Sequence, residues 1–260
     1  MKIKVKNITY IKDLGNIKTI DGHKVRSGLL FRSSNLAGLT QKEVDLLYKH
    51  NIRYVCDFRT EEEQGLKPEL IDVDKIDYHH LPVVENLDNP AITKENRLAV
   101  LKDITYNKGG TKKYMQNFYA MLVDNNKAIN SYKEFFKILL ECKENEAVVF
   151  HCTQGKDRTG VGLMLLLSAL GVSKKVIIRK YLSYNKMSWL FRASVYVGMV
   201  LTKGIRLANG LNDVLRAVKS YILTSYNVIE TKYRGMQNYL TNIIGLTNDD
   251  LNTLKAKYII

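Results

Sequence analysis

The stretch HCTQGKDRTG, residues 151–160, decides the reading of this chain: it follows the apolar run Ala147 to Phe150 and precedes VGLMLLLSAL, residues 161–170. The run before it reads as a buried strand and the run after it as a buried helix, so the residues from Cys152 to Arg158 form the loop of a strand–loop–helix unit. The amides of Thr153, Gln154 and Gly155 can converge there above the helix N-terminus. A helix leaves its first N–H groups unpaired and is positive at that end, so such a loop binds an anion. The same field favours a thiolate, which makes Cys152 a candidate nucleophile. Arg158 adds a planar, permanent charge suited to two oxygens of a tetrahedral anion such as phosphate. Thr159 can donate its hydroxyl to the sulfur.

Other chemistries fail on specific points. A nucleotide-binding loop needs GxxxxGK followed by Ser or Thr, whereas Lys156 is followed by Asp157. A zinc site needs further Cys or His at ligand spacing, and His23, His50, His79 and His80 do not supply them near Cys152. A Cys–His pair is disfavoured because His151 adjoins the cysteine and points to the opposite side of the strand end. No metal and no cofactor is expected.

The rest of the chain sets the frame. Its 260 residues, 45% of them hydrophobic, suffice for one substantial core. Three cysteines (Cys56, Cys142 and Cys152) without framework spacing argue for a reducing compartment. MKIKVKNITY, at the start, lacks the apolar core of a signal peptide and is expected as a strand. The longest apolar run is too short to span a membrane, so a cytoplasmic location is expected. A formal net charge of +14 favours anionic partners, phosphate esters or an acidic membrane surface among them. Nucleic acid has that charge in its favour but no recognisable motif.

Along the chain, Thr40 and Glu43 have capping-box spacing ahead of a helix, and IRYVCDF, ending near Asp57, reads as a buried strand. Residues 85–112 are polar and punctuated, and an inserted irregular loop is expected there. Two helices are predicted between Lys113 and Cys142, and almost continuous helix after Ser173, with interruptions near Gly204, Gly210, Asn227 and Gly245.

With these residues in view, HCTQGKDRTG resembles the signature of the cysteine-dependent phosphatases, Cys, five residues, Arg, then Ser or Thr. Its Gly-Lys-Asp-Arg-Thr-Gly is similar to that of the bacterial and fungal atypical tyrosine and lipid phosphatases. The likeness extends to an Asp-Leu-Gly turn, an Arg-Ser pair and an Asp-x-Arg-x-x-x-Glu run within residues 12–63, and to MQNYLTNIIGLTNDDLNTL from Met236. The resemblance implies a tyrosine-phosphatase-like α/β fold, a central sheet flanked by helices with an enlarged helical C-terminal part, in one domain over residues 1–260. It also implies that Asp157 protonates the leaving oxygen and that Lys156 adds a second cationic contact for substrates bearing more than one phosphate. Against this stands a simple Lys156–Asp157 surface pair.

Weaker signals remain. The resemblance makes Asp57 and Arg59 supporting residues near the mouth of the site, and His151 a third; an ion pair capping the strand end is an equal alternative. Arg32 and Ser33 read as structural. Cys56 ends a neighbouring strand, which raises a protective disulfide with Cys152 against the commoner packed thiol. KYLSYN departs from the family pattern at Lys180, while Tyr181, Leu182 and Asn185 match. Residues 186–227 are read either as a helical lid or as extra helices packed on the core, the latter favoured.

The expected activity is hydrolysis of phosphate monoesters, from phosphotyrosine, phosphoserine or phosphothreonine, or a phosphoinositide, with a phosphate or sulfate ion fitting the signature loop. Two rivals are carried forward: an inositol polyphosphate phosphatase, and a catalytically silent phosphate-binding module.

Overall fold

A computed structural model of the chain describes residues 3, 5–71, 74–85, 97–107 and 110–260. Five strands form one sheet: β1 (Ile11–Asp13), β2 (Leu30–Ser33), β3 (Ile52–Asp57), β4 (Asp77–His80) and β5 (Ala147–His151). Their order is β1-β2-β5-β3-β4, with β1 antiparallel to β2 and the other pairs parallel. The strand before the signature loop is therefore central and buried along its length. Successive side chains of a strand point to opposite faces. Ala147 and Val149 accordingly join a smaller core with Phe31, Val44, Leu47 and Val55, whereas Val148 and Phe150 enter the main one.

Helices cover both faces. On the smaller side lies α1 (Gln41–Lys49), whose N-terminal Thr40 N–H donates to the Glu43 carboxylate (3.0 Å), the predicted capping box. The short α2 (Glu61–Leu66) follows β3, and α3 (Arg97–Tyr106) precedes α4 (Thr111–Asp124) and α5 (Asn126–Glu141). Next comes α6 (Arg158–Ala169), apolar on nearly all sides and correspondingly buried. The C-terminal part comprises α7 (Lys174–Leu182), α8 (Tyr184–Met187), α9 (Trp189–Lys203), α10 (Ile205–Leu215), α11 (Lys219–Tyr233), α12 (Met236–Asn238) running into a π-helical turn, and α13 (Asn248–Tyr258). No helix among the described residues is long and apolar enough to cross a membrane.

The fold class is as read from the sequence, with three local differences. The described residues of MKIKVKNITY form no strand; the Lys6 amide donates to Glu43 (2.7 Å), drawing that segment onto the start of α1. Residues 97–106, expected as irregular chain, are helical, while 86–96 and 108–109 lie outside the described residues. Gly210 and Asn227 interrupt nothing. Gly210 lies within α10, where the Thr105 side chain packs in the place its Cβ would take, and Asn227 lies within α11, which packs on α4. Segment 186–227 thus divides into α11, packed on the core, α10, packed on α3 and α4, and α9, which has no buried residue.

The link between β3 and the loop is aromatic. Phe58, just past β3, packs its ring against Tyr132 (5.6 Å between centroids), Phe135 (5.3 Å) and Phe150 (6.2 Å). It also touches α6 where Gly162 leaves room. Phe58→Ala is expected to cost about 3–5 kcal/mol of stability, read from the midpoint of urea denaturation.

Candidate active site

Cys152 follows β5 directly and is buried, at the carboxyl end of the central strand and just before α6. Open α/β sheets place ligands at that end of their strands. The loop turns at Gly155, whose φ of 67° is left-handed; a Cβ there would also run into the Ser33 carbonyl and the Tyr10 hydroxyl. The Gly155 carbonyl accepts from Tyr10 (2.7 Å) and from Arg32 Nη2 (2.9 Å). The Thr153 carbonyl accepts from the Asn35 side chain (2.8 Å). With these acceptors engaged, the loop keeps its carbonyls away from an incoming anion.

Arg158 is buried and held by Glu63: Nη1 is paired with one carboxylate oxygen, and Nη2 donates to the other at 2.9 Å. Its Nη1 also donates to the Phe58 carbonyl (3.3 Å). Glu63 is fixed in turn by Thr60, whose N–H it accepts at 3.0 Å in the capping box of α2. Burial pushes the Glu63 carboxyl up, but the Arg158 charge and hydrogen bonds from Arg158, Thr153 and Thr60 outweigh it and hold it at about 2. The two-point grip sets the plane of the Arg158 fork.

Lys156 and Asp157 pair with one another, Nζ to Oδ1 at 3.2 Å, yet not on the surface, because Lys156 is 1% exposed. Its ammonium also reaches the Val214 and Arg216 carbonyls at the end of α10. Asp157 accepts from the Tyr119 hydroxyl (2.7 Å), which shares a hydrogen bond with the Tyr181 hydroxyl (2.7 Å). Burial and the neighbouring Asp157 charge raise the Tyr119 phenol well above its usual value, so it stays a proton donor. Thr159 is fully buried, and its hydroxyl finds no hydrogen-bond partner among the described residues. Gln154 accepts from Tyr184 (3.0 Å).

Behind the loop, His151 has the opposite strand parity to Cys152. It faces Asp57 (3.6 Å from Nδ1) and Glu69 (3.3 Å from Nε2). Arg59 joins both carboxylates, at 2.7 and 3.0 Å. Asp57, Glu69 and His151 are close enough to hold a metal ion, but the Arg59 guanidinium already bridges the two carboxylates. Burial lowers the His151 pKa, but the Glu69 and Asp57 charges raise it further, to about 9. A protonated imidazole is no metal ligand, so the cluster is a buried ion network.

A family model described as the tyrosine phosphatase family matches residues 3–260. The chain belongs to that family. It is 26% identical over 253 residues to a Cupriavidus necator protein whose name assigns it to the tyrosine-protein phosphatases, covering 97% of this chain and 86% of that one. It is 25% identical to the triple specificity protein phosphatase PtpB of Mycobacterium tuberculosis, over 89% of this chain and 91% of that one. A tyrosine-protein phosphatase of Nostoc commune is 25% identical over 87% of this chain and 72% of its own length. The protein is therefore a hydrolase of the phosphatase type, acting on phosphate esters.

The structure brings Cys152, Thr153, Gln154, Gly155, Asp157, Arg158 and Thr159 of the phosphatase into one loop, and turns others away from it. Asp57 and Arg59 do not stand at the mouth; both are buried with His151 and Glu69 beneath the loop. Lys156 points to the end of α10. Cys56 is a free, buried thiol opposite Phe150, packed in the main core, as the commoner alternative to a disulfide had it. The sequence reading missed Glu63, although it ends the Asp-x-Arg-x-x-x-Glu run and stands three residues after Thr60, a capping-box spacing. Tyr10, Tyr119 and Tyr184 carried no sequence signal. Arg32, read as structural, does hold the loop by its carbonyl.

Because the folded pKa of His151 lies above its unfolded value, its contribution is fully present below pH 6.5 and is lost as pH rises through about 9. Thermal melts of the wild type are expected to lose on the order of 3 kcal/mol across that window. His151→Asn should be less stable at neutral pH and lack this dependence.

Proposed function

We propose that the protein is a phosphotyrosine phosphatase working through a phosphocysteine intermediate, with phosphoserine, phosphothreonine and phosphoinositide headgroups as further substrates. The observation that carries this reading is the single loop that sets Cys152, Asp157 and Arg158 between the central strand and the positive end of α6. The Cys152 sulfur attacks phosphorus in line, the P–O bond to the leaving group breaks, and the departing oxygen takes its proton from Asp157. Loop amides and Arg158 stabilise the equatorial oxygens. Water then attacks the phosphocysteine, giving its proton to Asp157 and releasing inorganic phosphate. Tyr119 positions the Asp157 carboxyl throughout, through its bond to Oδ1.

The range of substrates is supported by likeness to a relative named for triple specificity. An inositol polyphosphate preference loses its main support, because Lys156 is already engaged by Asp157 and two backbone carbonyls. What remains of the lid reading of 186–227 is the α9–α10 pair, linked to the loop by that lysine. The positive charge of the site comes from the chain itself, so turnover should persist in EDTA.

Phosphate release from a phosphotyrosine peptide, a phosphoserine peptide, soluble phosphoinositides and inositol polyphosphates, with EDTA present, tests the assignment. Cys152→Ser should abolish turnover while retaining phosphate binding. Asp157→Asn should lower kcat by about 10²–10⁴-fold, with a smaller loss for substrates whose leaving group is already acidic. Turnover by Cys152→Ser at the wild-type rate would sink the mechanism.

A further inference from the structure

Helix α9 is 15 residues long and has no buried residue, although it is among the more apolar helices of the chain. Its inner side meets α10: Met199 packs with Leu207, Arg192 donates to Asn212 (3.3 Å), and Tyr196 donates to Asn209 (3.0 Å). Its outer side presents Leu190 (66% exposed), Val197 (55%) and Leu201 (80%), at helical spacing of seven and four residues. Trp189 (57% exposed) and Phe191 flank this row, and Ile205, at the start of α10, extends it. Isolated exposed apolar residues are ordinary, but a contiguous uncharged row on one helix marks an interaction surface.

The charge around this face selects the occupant. No Asp or Glu occurs between Asp157 and Asp213, while Lys186 precedes α9 by three residues and Lys203 is its last residue. An apolar helical face with a lysine near each end, on a stretch of chain without acidic residues, matches an anionic bilayer, where the apolar side chains enter the acyl boundary and the lysines meet lipid phosphates. A second copy of the chain would bring the same cations against one another, which disfavours self-association through this face.

We propose that α9 is a membrane-docking helix that seats the protein on an anionic lipid surface with Trp189, Leu190, Val197 and Leu201 in the interface. The docked helix stands beside the active site, since α10, its partner, ends on Lys156 of the signature loop. Docking does not depend on the catalytic reading.

Trp189 is the single tryptophan of the chain, so its emission reports directly on this face. The full-length protein is titrated with vesicles of phosphatidylcholine alone and of phosphatidylcholine with phosphatidylserine, at low and high salt. Emission should shift to the blue, with co-sedimentation, on the phosphatidylserine vesicles, and the effect should weaken with salt. The triple variant Leu190→Asp, Val197→Asp, Leu201→Asp should bind those vesicles more weakly by a factor on the order of 10 or more. Its hydrolysis of a soluble phosphate ester should be unchanged, which separates lost docking from lost folding or catalysis. Three results would overturn the proposal: no emission shift on anionic vesicles, binding that survives the triple substitution, or a wild-type dimer in sedimentation that the substitution dissolves.

Discussion

The constraint on which the site depends is the burial of positive charge. Arg32, Arg59, His151, Lys156 and Arg158 are all nearly or fully buried around one loop, and an uncompensated buried cation costs several kcal/mol. Compensation comes from Asp57, Glu63, Glu69 and Asp157, together with backbone carbonyls that serve Arg32 and Lys156. The carboxylates are one fewer than the cations, and the buried Cys152 sulfur lies in the same loop, where a surplus of positive charge favours its anionic form.

The two layers of this network do different work. The lower layer, Asp57, Arg59, Glu69 and His151, ties β3 and β5 together at the strand ends. The upper layer, Glu63, Arg158, Lys156 and Asp157, orients groups that face the anion site. Strand parity separates them, since His151 and Cys152 are adjacent in sequence and must point to opposite sides. The central position of β5 makes this sorting strict, because a register shift by one residue would exchange the imidazole and the thiol.

The signature loop and the sheet around it were legible because local chemistry specifies them: a buried apolar strand, a glycine turn and an apolar helix leave few alternatives. Glu63 was half legible, visible as a motif residue and a capping partner, yet nothing local says that its carboxylate crosses to Arg158. Of the tyrosines only Tyr181 was marked, as a match to the family pattern. Tyr119 reaches Asp157 from α4 and Tyr181 meets the Tyr119 hydroxyl from α7, and a buried Tyr looks in sequence like any other amphipathic core residue. For Arg59 the sequence left a supporting role and an ion pair at the strand end open, and the structure shows the ion pair, buried with Asp57 and Glu69. At Lys180 the backbone keeps its role, the carbonyl accepting from Arg32 (3.2 Å), while burial and the Lys12 and Arg179 charges lower the side chain's pKa; Asn185 grips the Ala217 backbone through both ends of its amide.

Lys156 also sets how α9 and α10 relate to the loop. Its ammonium lies at the carbonyl end of α10, the negative end of that helix dipole, so the contact is favourable for both. Displacing α10 would leave the ammonium with Asp157 alone, in a setting where a half-satisfied charge is costly. The signature loop and the end of α10 are thus tied through one side chain, and a substitution at Lys156 would leave both the Asp157 carboxylate and the last carbonyls of α10 without their shared cation.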